Sequence, residues 1–251
     1  MLYKATSLNG YKLHSLDGEI GKVSEFYFDD QHWTIRYLIA DTGTWLTSRQ
    51  VLISPFALTS VNHDKHFIVV DLTKKQIEDC PPLSNDQPVS RQYEESYNGY
   101  YGMPRYWGGP LMWGAYLYPA QRTEWKMPSN EAKGWDFHLR STRDVTGHHI
   151  QATDGEIGHV EDFVIDTETW AIRYLIINTH NWLAGKTVLI SPQWIERISW
   201  NDRKVFINHS RETIKLSPQH SHNSELTRDY EIVLHGHYNH QGYWVDNLAT
   251  K

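Results

Sequence analysis

The chain has 251 residues, enough for one large domain or two small ones. Its 24 Lys plus Arg against 30 Asp plus Glu leave a net charge of −6, and without a long basic run this argues against direct nucleic-acid binding. The single cysteine, Cys80, excludes an internal disulfide and any Cys-x-x-Cys zinc or redox site, and fits a reducing, cytoplasmic compartment. The opening MLYKATSLNG lacks the charged-then-apolar layout of a secretory signal, and the longest apolar runs, such as residues 174–177, fall far short of the ~20 residues of a membrane helix.

The first element in chain order is DGEIG, from Asp17 to Gly21. Asp-Gly supplies a tight turn, glycine tolerating positive φ while Asp bonds its own backbone, and Glu19 opens a strand. The acids could instead be read as paired acid/base carboxylates, but no apolar pocket to raise a pKa accompanies them, and a Ca²⁺ loop would need more oxygen ligands. Asp17, Gly18 and Gly21 are therefore assigned a turn role. Residues 19–28 are β-branched and aromatic with an apolar phase that slips near Gly21, which predicts a bulged strand. Asp29-Asp30-Gln31-His32 reads as a hairpin turn into Trp33, and WTIRYLIAD alternates as a strand that carries Arg36 on the face opposite Ile35 and Tyr37. VLIS is a further strand halted by Pro55; a hairpin follows around Asn62-His63-Asp64-Lys65, and Thr73-Lys-Lys-Gln76 has the spacing of a capping box.

The same series then returns. DGEIG recurs at Asp154, Gly155, Glu156 and Gly158, an offset of 154 − 17 = 137; WTIRYLIADTGTWL falls on WAIRYLIINTHNWL and VLISP on VLISP without a gap. About half the positions of this core are identical, so the chain carries two copies of one domain. Between them, residues 97–119, YNGYYGMPRYWGGPLMWGAYLYP, show neither the strand nor the helix period and read as a linker whose rings drape over the domains, with an aromatic docking segment as the alternative. The tail from about residue 219 reads as irregular, with an ordered stretch at 230–234. His235, His237 and His240 there have zinc-ligand chemistry but no fixed spacing, so no metal is assigned.

These motifs, Gly-Glu-Ile-Gly-x-Val, Ile-Arg-Tyr-Leu and Val-Leu-Ile-Ser-Pro in order and twice, closely resemble the PRC-barrel domain, named for the cytoplasmic barrel of the photosynthetic reaction-centre H subunit and related to a barrel in a ribosome maturation factor. The resemblance implies an all-β fold: two small antiparallel β-barrels in tandem, related by a pseudo-twofold axis, with short helical turns. The expected boundaries are 1–82 and 143–218 for the barrels, 83–142 for the linker and 219–251 for the tail. It implies no catalysis and no cofactor, but an adaptor that docks a protein partner, including one at the inner membrane. An accessory to photosynthetic or respiratory electron transfer and proton uptake is a second reading, and a ribosome-assembly factor a third. Within the chain the copies form a pseudo-dimer, and a higher oligomer is compatible with it.

Two sets of side chains stand as binding candidates. Arg36 and Arg173, inside hydrophobic strands, must reach water or pair with a carboxylate, for which Glu19/Glu156 and Asp29/Asp166 are in register. Each makes either an ion pair inside its barrel or an exposed anion hook. Trp33/Trp170 and Trp45/Trp182 also recur in register, as core or barrel-lip packing or as a rim for a protein contact.

Overall fold

A computed structural model describes residues 1–46, 49–81, 89–107, 109–119, 139–179, 186–220 and 225–245. Two mainly antiparallel sheets of seven strands carry the fold. In the first copy these are β2 (Lys12–Ser15), β3 (Gly18–Asp29), β4 (Thr34–Asp41), β5 (Gln50–Ile53), β6 (Leu58–Asn62) and β7 (Phe67–Val70), in the spatial order β5-β4-β3-β2-β7-β6. The second copy repeats it with β9 (His149–Ala152), β10 (Gly155–Asp166), β11 (Ile172–Asn178), β12 (Thr187–Ile190), β13 (Ile195–Ser199) and β14 (Lys204–Ile207), in the order β12-β11-β10-β9-β14-β13. Each sheet contains one parallel pairing, β2 with β7 and β14 with β9. No pairing joins the outer strands of either path among the described residues, so over those residues neither sheet is closed into a barrel.

The seventh strand of each sheet is short and comes from elsewhere in the chain. β8 (Leu139–Ser141) pairs with β3, and β1 (Leu2–Lys4) pairs with β10; the single-turn helices α1 (Ala5–Leu8) and α4 (Thr142–Val145) follow β1 and β8. These strands occupy equivalent repeat positions, since 139 − 2 = 137. Of two compact units, unit 1 holds Tyr3–Asp144 with the hairpin Val164–Arg173, and unit 2 holds Leu2, Val145–Phe163 and the chain from Tyr174 onward.

Local chemistry accounts for the joints. The capping box at Thr73 and Gln76 is formed and opens α2 (Lys74–Glu78); Ser210 caps its counterpart α5 (Arg211–Lys215). Trp33 and Trp170 take left-handed backbone, φ 51° and 60°, at the ends of their hairpin turns. For a bulky residue this costs about 1–2 kcal/mol. Within unit 1 it is held in place by reciprocal backbone bonds, Ile35 N to Trp170 O at 2.8 Å and Ile172 N to Trp33 O at 2.7 Å.

Strand β4 is buried along both faces from Thr34 to Ala40. With Leu13, Phe26 and Ile68, which are also buried, it belongs to the core of unit 1, where each large apolar side chain contributes about 1.5–3 kcal/mol. The segment expected to be a linker packs against the strand as well, reaching Arg36 through Met112, Tyr106 and Trp113 and Tyr37 through Glu94 and Tyr97. That segment contains α3 (Arg91–Tyr101), capped by Ser90 and ended by Gly102 in left-handed backbone, and it buries Tyr97, Tyr101, Met103, Tyr106 and Trp113 in unit 1. In the tail, the ordered stretch expected at 230–234 lies inside a longer helix, α6 (Arg228–His237), which is capped by Thr227 and buries Leu234 and His235 in unit 2.

Candidate functional site

The two acids of DGEIG have separate tasks. Asp17 Oδ1 accepts the backbone N–H of Lys74 at 2.8 Å and the Ser15 hydroxyl at 2.9 Å, and Asp154 Oδ1 accepts the N–H of Arg211 at 2.7 Å, so each aspartate holds the start of its α2 or α5 helix. Bonding to the Lys74 N–H, against a smaller effect of desolvation, lowers the pKa of Asp17. Glu19 meets Lys12 at 3.0 Å and Glu156 meets His149 at 2.9 Å, both exposed. Gly18 and Gly155 have positive φ at the turn. Gly21 and Gly158 sit at the bulge, where β2 skips a residue of β3 and β9 skips one of β10.

Arg36 is buried. Its Nε donates to Asp29 Oδ2 at 2.7 Å and its Nη1 to the Met112 carbonyl at 2.7 Å. The guanidinium lies 3.9 Å from the ring centre of Tyr106 and 4.7 Å from that of Trp113. Nη2 has no hydrogen-bond partner among the described residues. Burial pushes the Asp29 carboxyl upward, but Arg36 and His32 outweigh it and hold the group below its ordinary value. The second copy is more open: Arg173 Nη2 donates to Asp166 Oδ2 at 2.9 Å and Thr169 Oγ1 at 3.1 Å, with both charged side chains 12% exposed. Arg173→Gln is expected to cost about 1–2 kcal/mol in urea unfolding, since water can reach the Asp166 left behind.

A second buried ionic group was not anticipated. On α3, Glu94 Oε2 accepts from Arg91 at 3.1 Å, and its Oε1 accepts the hydroxyls of Tyr37 at 3.1 Å and Tyr106 at 2.8 Å. Arg91 also stacks on Trp107 at 4.0 Å. Unit 2 builds the same group on α6. Glu231 accepts from Tyr174 at 2.8 Å and Tyr243 at 2.9 Å and pairs with Arg228 at 2.9 Å, and Arg228 stacks on Trp244 at 4.2 Å. A signal for it exists in the sequence: 228 − 91 = 137, and Arg91, Tyr93, Glu94, Gly99, Tyr101, Tyr106 and Trp107 recur as Arg228, Tyr230, Glu231, Gly236, Tyr238, Tyr243 and Trp244. The repeat thus continues through both the linker and the tail.

Of the tryptophans, Trp33 and Trp170 are buried, Trp33 stacking on Phe28 with ring centres 5.1 Å apart. Trp45 is half-buried with the Lys74 ammonium 5.5 Å from its ring, and Trp182 lies outside the described residues. In the tail, His235 is buried with Nδ1 at 2.9 Å from the Gln241 carbonyl and Nε2 at 3.0 Å from the Tyr174 hydroxyl. His237 bonds the Thr213 carbonyl, and His240 stacks on Trp194. No cluster of three metal-ligating side chains occurs among the described residues.

The molecule is thus a duplicated, β-rich protein whose buried charged groups tie a helix to each sheet. The PRC-barrel domain model matches residues 2–77 and 140–214, more than half of the chain, and the protein belongs to that family. No curated protein matches it.

Proposed function

We propose that this protein is a non-enzymatic tandem PRC-barrel adaptor that docks a protein partner, in the cytoplasm or at the inner membrane through that partner. One observation carries the reading. The side chains best suited to acid–base or anion chemistry, Glu94, Arg91, Arg36 and Asp29, are buried and paired with one another or with aromatic rings, where they serve the fold. What the protein offers to other molecules is therefore its surface. No helix among the described residues is long and apolar enough to cross a membrane, which fits attachment through a partner.

The test is affinity purification of the intact chain from soluble and membrane fractions, followed by size-exclusion chromatography. A stoichiometric protein partner that co-elutes and can itself be tagged to recover this chain is the expected result. A pigment or quinone complex would instead favour an electron-transfer accessory, and ribosomal proteins an assembly factor. A chain that remains alone in both fractions would overturn the adaptor reading.

A further inference from the structure

Unit 1 contains a cavity of about 690 Å³ whose lining includes all seven consecutive residues 58–64. A strand that turned one face to a cavity would line it with alternate residues only, because successive side chains point to opposite sides of a sheet. The run takes in both sides of β6, which has a bulge between Leu58 and Ser60, together with the turn residues 63 and 64, so the outer edge of the strand borders the space. β6 ends its sheet, and no strand pairs with its outer side among the described residues.

Exposed edges are ordinarily blunted by charge. The equivalent edge of the second copy, β13, carries Glu196 and Arg197, with the Arg197 guanidinium laid over the Phe206 ring at 3.4 Å. β6 reads Leu-Thr-Ser-Val-Asn and has no charge at all. The other walls are aromatic and acidic. Tyr3 and His63 stack with ring centres 3.5 Å apart, Trp170 adds a third ring, and Asp64 and Glu168 are exposed carboxylates. No Lys or Arg lines the cavity; the one cation present is the Met1 amine, 3.3 Å from Glu168.

We infer that β6 is a docking edge for an extended, basic segment of a protein partner, which adds as a strand beside Leu58–Asn62 and places Lys or Arg side chains against Asp64, Glu168 and the half-buried Tyr3 and His63 rings. Five residues of β6 span roughly 17 Å at ~3.4 Å each, so the matching segment is about five residues long. Main-chain bonds supply affinity, and charge with cation–π contact supplies selectivity. This rests on the adaptor reading and names the chemistry of its partner.

The probe is a library of amidated hexapeptides with Lys or Arg at alternate positions and β-branched or aromatic residues between, applied to the intact chain by fluorescence anisotropy. Binders with Kd below about 100 μM are expected, together with slowed amide exchange at residues 58–62. N-methylating one alternate set of the peptide's amides should weaken the best binder at least about tenfold, while the other set leaves it nearly unchanged, because only one row of amides faces β6. Asp64→Lys with Glu168→Lys should also weaken it about tenfold or more; both positions are exposed, and a circular-dichroism melt checks that the fold is retained. No binder below about 1 mM, indifference to both N-methylation patterns, or equal binding of a Glu-substituted library would overturn the inference. If the purified cellular partner stays bound to the Asp64→Lys/Glu168→Lys chain, this edge is not the dock while the adaptor reading stands. If no partner is recovered with the unaltered chain, the adaptor reading falls.

Discussion

Glu94→Ala is expected to destabilise the protein by about 3–5 kcal/mol at pH 7, measured by urea unfolding, with loss of the helical signal from α3. The carboxylate is buried and accepts three donors, from Arg91, Tyr37 and Tyr106. Its removal leaves a buried guanidinium without its counter-ion and two buried hydroxyls without their acceptor, and each orphan costs more than the bond was worth. Arg91→Ala together with Glu94→Ala should therefore cost less than the sum of the single changes by at least about 1 kcal/mol. The same carboxyl makes stability depend on pH. Burial, partly offset by Arg91, raises its pKa to about 7, above the ordinary carboxylate value of 4.5. The folded chain then holds an extra proton between those values, so the stability this group contributes is complete below pH 4.5 and declines as pH rises to about 7. Asp29 and Asp166 have the opposite sign. Burial raises both, their arginines outweigh it, and the stability they give is lost as pH falls through their lowered pKa values. Stability should peak on the acidic side of neutrality, and Glu94→Gln should flatten the decline above pH 5 while leaving the acid limb in place. A decline that survives Glu94→Gln would assign it to another group.

What could be read in the chain followed the physics of each element. The strands of both copies, the bulge at Gly21, the capping box at Thr73 and the duplication itself came from alternation, glycine placement and spacing, all local signals. Helix α3 did not announce itself, and of α6 only residues 230–234 stood out as ordered, because the buried face of α3 is Arg91, Glu94, Tyr97, Asn98 and Tyr101. A search for apolar residues at helical period passes over a face made largely of polar groups that become buried only once paired. Sequence similarity also lapses just before each helix, where LSNDQPVS stands against HSHNSELT, so the readily visible repeat ends at the prolines. β1 and β8 are three residues each, too short for any period, and their exchange is a matter of topology. Arg36 could be paired with Asp29 from register, whereas its cover by Tyr106 and Trp113 depends on how the intervening segment folds back. The open edge of β6 is equally non-local, since it is defined by the strand that does not pair with it.

Gly21→Ala and Gly158→Ala are each expected to cost about 3 kcal/mol or more, whereas Gly18→Ala should cost nearer 1 kcal/mol. All three positions have positive φ, 135°, 152° and 136°, and share the backbone penalty for a side chain there. They differ in what a Cβ would strike. At Gly21 it would collide with the Asp41 carbonyl and at Gly158 with that of Asn178, both backbone atoms, so the bulged strand and its neighbour would have to separate. At Gly18 the nearest atom is the end of the Lys74 side chain at 3.1 Å, which can move aside. Thermal melts of the three variants therefore separate conformational strain from close backbone approach. Equal losses at Gly18 and Gly21 would mean that strain alone selects glycine in DGEIG. The expected gap would mean that the motif needs its last glycine because two paired strands approach closely there, while the acids before it, Asp17 and Glu19, are occupied by a helix terminus and a surface pair.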